Sequence, residues 1–227
     1  PWPYDEYSLL FGNSGKSGLI LMAIYKSLKK ALEDIENATT LKIKTKESLP
    51  SNLFKLINLT DLYIQSSELD NLAGDFSHLT NLETLYITSP SLTLVPNTVL
   101  SLPRLKTLSL AGCNINKFDI QIGARTNIIS LLLNKNNIDS LPTNLEHIES
   151  IESLNLNNNN FTQIPNALLN LIKLKSLHLD KNHLKELDID LIIKLNQLKI
   201  ISIDGNLFSD KEKSRIEYEI NYIFSDV

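Results

Sequence analysis

The sequence predicts an α/β fold built as a solenoid, and three observations carry that prediction. The first is a repeat. The segment LKTLSLAGCNI (Leu105 to Ile115) recurs as IISLLLNKNNI (Ile128 to Ile138), IESLNLNNNNF (Ile151 to Phe161) and LKSLHLDKNHL (Leu174 to Leu184). The same apolar slots hold in LTDLYIQSSEL from Leu59, LETLYITSPSL from Leu82 and LKIISIDGNLF from Leu198, so the anchors advance in steps of 23 residues, the last step being 24. The second is local. Each copy alternates apolar and polar residues with period two, as a strand does when one side faces a core. The third is the other half of each copy. LPSNLFKLINL (Leu49 to Leu59), VPNTVLSLPRL (Val95 to Leu105), LPTNLEHIESI (Leu141 to Ile151) and IPNALLNLIKL (Ile164 to Leu174) all open on an apolar residue followed by proline. Proline fixes φ and donates no hydrogen bond, so it suits an outer turn or short helical segment rather than a central strand.

In chain order this divides the 227 residues into a leader (1–18), an N-terminal capping segment (19–37), eight repeats (38–208) and a C-terminal cap (209–227). The first repeat is the degenerate copy ATTLKIKTKES from Ala38. An open solenoid exposes its core at both ends and needs covering. Ile20, Ile24, Leu28, Ala31, Leu32 and Ile35 follow helical spacing in the N-terminal cap, although residues 19–25 suit an extended segment equally. In the C-terminal cap, Ser209 and Glu212 stand in capping-box spacing, and Ile216, Ile220 and Ile223 line one helical face. The extra residue of the 24-residue step lies within Leu191 to Leu198, where a bulge is the simplest accommodation.

The recurring pattern resembles the LxxLxLxxNxLxxLPxxIxxL signature of leucine-rich repeat proteins, in the form seen in bacterial members, over residues 38–208. The resemblance implies a curved horseshoe with a parallel sheet on its concave face, short helical or irregular convex segments, and capped ends. It also implies an asparagine ladder. The slot usually held by Asn reads Lys46, Ser67, Pro90, Cys113, Asn136, Asn159, Asn182 and Asn206, so the C-terminal half carries the ladder and the N-terminal half mostly lacks it. A more regular and better protected C-terminal half follows, since a buried polar group without a partner costs roughly 1–3 kcal/mol. Cys113 reads as a small buried residue rather than a reactive thiol. Arg125 occupies an outer slot that is apolar elsewhere, with its stem packed and its charge in water.

The stretch FGNSGKSG (Phe11 to Gly18) resembles the end of a phosphate-binding loop. The full pattern, GxxxxGK[ST], requires a glycine at the position of Leu10, and Gly12 comes two residues late. The repeats leave no room for a nucleotide-binding sheet, so Gly12 to Ser17 reads as a Gly/Ser turn leading to the cap. His178, Asp180 and His183 lie close in HLDKNH but offer three ligands from one strand and its turn, with no fourth, so they read as surface polar residues. No carboxylate pair or nucleophile with its base recurs, which argues for a non-enzyme needing no cofactor and no metal.

By the resemblance, function lies in binding a protein or peptide on the concave face. The outward residue of each strand gives the column Lys42, Tyr63, Tyr86, Ser109, Leu132, Asn155, His178, Ser202, and the next outward residue gives Lys44, Gln65, Thr88, Ala111, Asn134, Asn157, Asp180, Asp204. Tyr63, Tyr86 and Leu132 are the expected apolar contacts, with Asn155, Asn157, His178 and Asp180 as the polar ones; exposed tyrosine brings large area with a polar tip. The alternatives are a structural, self-associating repeat protein and the recognition domain of a larger effector or signalling protein. A formal net charge of −4 without a basic block argues against nucleic acid, and no apolar run is long enough to span a membrane. A monomer is expected. One cysteine favours a cytoplasmic location, with a bacterial secreted or surface location the alternative if a signal peptide has been removed.

Overall fold

Each copy of the repeat contributes one strand, and every strand lies beside the next in the chain. The structure, a computed structural model, describes residues 24–94, 97–118 and 126–224. The turn at Gly12 to Ser17 and Arg125 fall outside the described residues. Nine strands form one all-parallel sheet in sequence order: β1 Ile24–Tyr25, β2 Thr40–Thr45, β3 Asp61–Ser66, β4 Thr84–Thr88, β5 Thr107–Ser109, β6 Ser130–Leu132, β7 Ser153–Asn155, β8 Ser176–His178 and β9 Ile200–Ser202. The fold is a leucine-rich repeat solenoid.

The register follows the repeat without slippage, Leu62 opposite Leu85, Leu85 opposite Leu108 and so on to Leu154 opposite Leu177. A slip of one residue would turn every leucine toward water, so the alternating pattern fixes the pairing. Leu62, Leu85, Leu108 and Leu177 are fully buried on the inner side. They meet Leu53, Phe76, Leu145, Leu168 and Leu191, the buried residues of the return segments. Those returns are 3₁₀ turns at Ser51–Lys55, Phe76–His78, Leu145–Ile148 and Asn166–Asn170, and short helices α2 (Asn97–Leu100) and α3 (Ile189–Lys194). The 24-residue copy is accommodated differently from the expected bulge. Its extra residue goes into α3, where Asp188 caps the first turn by accepting from the Leu191 N–H at 2.9 Å. An α-turn takes 3.6 residues where a 3₁₀ turn takes 3.0, so the wider winding absorbs the insertion.

Asn136, Asn159 and Asn182 are buried and share one set of bonds, including a longer one of 3.4 Å to the carbonyl two residues before. The Asn159 amide donates to Leu133 O and Leu156 O at 2.9 and 3.0 Å, and its carbonyl oxygen accepts from Ile138 N at 3.0 Å. Asn206 repeats the pattern on Leu179 O, Ile203 O and Leu184 N. The residue before each ladder position is left-handed: Gly112, Lys135, Asn158, Lys181 and Gly205, with φ between 54° and 70°. For a non-glycine residue this conformation costs about 1 kcal/mol.

In the N-terminal half the buried polar residue is not where the period places it. Ser67 and Pro90 are exposed, while the residues before them, Ser66 and Ser89, are 7% and 0% exposed. Ser66 Oγ donates to Lys46 O and accepts from Leu69 N; Ser89 Oγ donates to Leu69 O. The physical reason is the missing left-handed residue. Without it the chain stays extended for five or six residues in β2, β3 and β4, against three in β5 to β9, and the side chain that reaches inward comes one position earlier. Cys113, at the junction, is buried with Sγ 3.7 Å from Ile87 O, and burial pushes its thiol up to about 11.

A second ladder runs along the turns that enter the strands. Asn81 donates to Ile57 O, Asn127 to Pro103 O and Ser150 to Thr126 O, each reaching back one repeat.

At the N-terminal end the described helix, α1, is only Leu28–Glu33, and Ile24 and Tyr25 pair with Thr40 and Leu41 as β1. Of the stretch 19–25 the described residues Ile24 and Tyr25 are extended, and helical spacing misreads Ile24 and Ile35, which are 48% and 37% exposed. The sheet edge left open by β2 recruits the chain as a strand, and the hydroxyl of Tyr25 then donates to Asp34 just beyond α1. At the C-terminal end α4 (Asp210–Phe224) buries Ile216. Ser209 Oγ accepts from Glu212 N, but Glu212 does not complete the capping box. Its carboxylate accepts instead from Leu187 N at 2.9 Å, while Arg215 donates to Leu187 O at 2.8 Å and to Glu212. One backbone unit of the last return is thus held by an ion pair from the cap, and the Arg215 guanidinium holds the Glu212 carboxyl below its ordinary value of 4.5.

Candidate functional site

Parallel pairing places Lys42, Tyr63, Tyr86, Ser109, Leu132, Asn155, His178 and Ser202 in one row across the open face of the sheet, each registered with the next. Adjacent strands lie about 4.8 Å apart, which brings neighbouring rings into stacking range. Tyr63 and Tyr86 stack with centroids 5.2 Å apart and planes 18° from parallel, and Lys42 Nζ sits 5.0 Å from the Tyr63 centroid. An ammonium over an aromatic face is attracted by the ring quadrupole. The stack is pre-ordered and its rings are half-buried rather than standing out in water, because each covers a face of its neighbour. Ser109, small and 4% exposed, fills the row between Tyr86 and Leu132, which is half-buried.

From Leu132 onward the face turns polar. Asn155 Oδ1 accepts from Asn157 N at 3.0 Å, and Asn157 Oδ1 accepts from Asp180 N at 2.6 Å, so these side chains brace the backbone of the next column. Asp180 in turn accepts from Ser202 Oγ and from Asp204 N. The Ser202 hydroxyl, which donates to Asp180, lies 3.3 Å from His178 Nδ1, and the Ser176 hydroxyl lies 2.9 Å from His178 Nε2. His178 and Asp180 are therefore joined in one chain of hydrogen bonds through Ser202. His183, beyond the turn, has no bond to either among the described residues, and no group of three or more His, Cys, Asp or Glu side chains there is placed to hold a metal.

The seven residues singled out from the sequence thus occupy two groups on one face: Tyr63, Tyr86 and Leu132 with Lys42 at the N-terminal side, and Asn155, Asn157, His178 and Asp180 at the C-terminal side. Ser176 belongs with the second group and was not selected. Its signal was available, since it stands two residues before His178 on the same strand and so faces the same way. Lys42 and Lys44 give the first end positive charge; Asp180 and Asp204 give the second negative charge. Among the described residues no helix is long and apolar enough to cross a membrane.

The shape defines a leucine-rich repeat solenoid, and the comparisons bear on how far that reaches. No protein-family model and no curated protein matches the chain. Among solved structures 244 chains match, so the shape is a common one. One of them is the leucine-rich repeat domain of the type III effector XopL, at a TM-score of 0.62 and 22% identity, over 80% of this chain and 75% of that one. At that identity the likeness carries the fold.

Proposed function

We propose that the protein is a non-catalytic recognition module that binds a protein or peptide segment across the open, concave face of its sheet. The observation that carries this reading is the Lys42, Tyr63, Tyr86 stack. Two ordered aromatic rings and a cation form a surface whose conformational entropy is already lost, which lowers the cost of binding and suits a hot spot. Leu132 extends the apolar part, and Asn155, Asn157, His178 and Asp180 supply polar contacts. The charge gradient along the face favours a ligand segment whose acidic end lies over Lys42 and Lys44 and whose basic end lies over Asp180 and Asp204.

The test is affinity capture from the source cell with the wild-type chain and a Tyr63→Ala, Tyr86→Ala double variant, matched for thermal melting. The proposal expects a bound protein that is depleted at least about tenfold on the variant, the equivalent of roughly 1.4 kcal/mol. Equal capture by both would remove the aromatic anchor. A second reading, the recognition domain of a larger effector or signalling protein, draws on the XopL neighbour, itself the repeat domain of a type III effector. A self-associating role draws on Ile200 and Leu207, both 55% exposed at the last strand and the turn after it. Light scattering that shows a monomer at all concentrations would exclude it.

A further inference from the structure

The turns that enter β8 and β9 form a groove away from the open face of the sheet. It has a volume of about 420 Å³ and lies between the 3₁₀ turn Asn166–Asn170 and α3. Its apolar lining includes Leu169 and Ile172, which are 38% and 60% exposed. The repeat does not require an isoleucine there: the same slot holds Ile57 in the copy that leads to β3, but Thr80, Pro103, Thr126 and Glu149 in the four that follow. Its charges are Lys173, Lys175 and Lys194 against the single carboxylate of Glu152, which pairs with Lys175 at 2.8 Å. Among the described residues neither Lys173 nor Lys194 has an ion-pair partner. A net positive groove with an exposed apolar lining stands out in a chain of formal net charge −4.

We infer that this groove is a second docking surface, for an acidic peptide segment that carries an apolar residue to seat against Ile172 and Leu169. Charge complementarity selects the occupant. Lys173 and Lys194 meet carboxylates and gain the partners they lack, and the isoleucine loses its contact with water. A nucleic acid would use the lysines and leave the apolar lining unsatisfied, and three cations make a small footprint for a polyanion.

The experiment measures, by fluorescence anisotropy, binding of a labelled synthetic peptide of four Glu-Glu-Leu triplets to the whole chain. Its controls are a Gln-Gln-Leu counterpart and an oligouridylate of equal charge. The acidic peptide is expected to bind about tenfold more tightly than either control. Lys173→Glu with Lys194→Glu, both at exposed positions, and Ile172→Ser alone should each weaken it by about that factor without lowering the melting temperature. The Tyr63→Ala, Tyr86→Ala variant should bind as wild type does, which separates this groove from the concave face. No binding of the acidic peptide, binding kept by the lysine variant, or oligouridylate bound as tightly and indifferent to Ile172→Ser would each overturn the proposal.

Discussion

The repeats that carry β2 to β4 and those that carry β6 to β9 solve one problem in two ways. Both must bury backbone at the point where the strand turns toward the outer segment. In the later repeats a left-handed residue turns the chain sharply, and an asparagine behind it satisfies three backbone groups. In the earlier repeats the strand runs on, and after β3 and β4 a serine hydroxyl takes the inward place: Ser66 serves Lys46 O, Glu68 N and Leu69 N, and Ser89 serves Leu69 O alone. The difference shows what the asparagine is for. It ties down the backbone of a tight turn; Gly112 makes the same turn before Cys113 with a glycine in place of a strained residue, and in β2 to β4 the chain stays extended instead.

The largest expected effect is on the asparagine side. Asn159→Ala leaves the Ile138 N–H without a partner and takes one of two donors from each of Leu133 O and Leu156 O, which keep Asn136 and Asn182, so chemical denaturation should show a loss of about 2–3 kcal/mol. Amide exchange comes next. The longer early strands have more paired residues, but their turns have fewer buried bonds, so the slowest amides should lie in β6 to β8, protected about tenfold beyond those of β2 to β4. Slowest exchange in β2 to β4 would mean that strand length outweighs the ladder. Ser89→Ala, which frees only Leu69 O, should cost about 1 kcal/mol; a loss equal to that of Asn159→Ala would break the contrast.

A smaller effect concerns the C-terminal cap. The carboxyl of Glu212 titrates below its ordinary value when folded, so its contribution is present above pH 4.5 and is lost as pH falls through the lower folded value. Glu212→Gln should lower stability at neutral pH and flatten the acid limb of the stability profile; an unchanged limb would place the acid sensitivity elsewhere. The smallest effects probe the strained turn. Gly205→Ala puts a methyl group on a residue at φ 70°, 3.0 Å from Lys181 Cγ, and should cost about 1 kcal/mol. Lys181→Gly relieves strain but adds chain entropy, so its melting temperature should stay close to that of the wild type.

Much of this was legible in the sequence because a long period averages out local ambiguity. Eight copies of one pattern fix the register of Tyr63 against Tyr86 and of Asn155 against His178 without any knowledge of side-chain packing. What escaped was decided by local geometry. Ser66 and Ser89 sit one residue off the period because the turn type changes, and a count of apolar slots does not see a dihedral angle. The pairing of Ile24 and Tyr25 with β2 was hidden because their spacing suits a helix equally, and an open sheet edge decided it. On the candidate face, the column was readable; the stacking of the rings and the relay from Ser176 through His178 and Ser202 to Asp180 depend on rotamers, which sequence does not carry.

The unbroken register of β5 to β8 has a consequence for how such a chain changes length. Asn159 bonds to residues 26, 21 and 3 positions before it, and Asn136 and Asn182 use the same offsets. Excising one unit of 23 residues, such as 128–150, would present Asn159 with Leu110 O and Ile115 N in place of Leu133 O and Ile138 N, and bring Asn155 beside Ser109. The interior would close over the cut while the recognition surface lost one strand and gained a new neighbour pair. Duplication and loss of whole units can thus rewrite what the face binds at little cost to what holds it together.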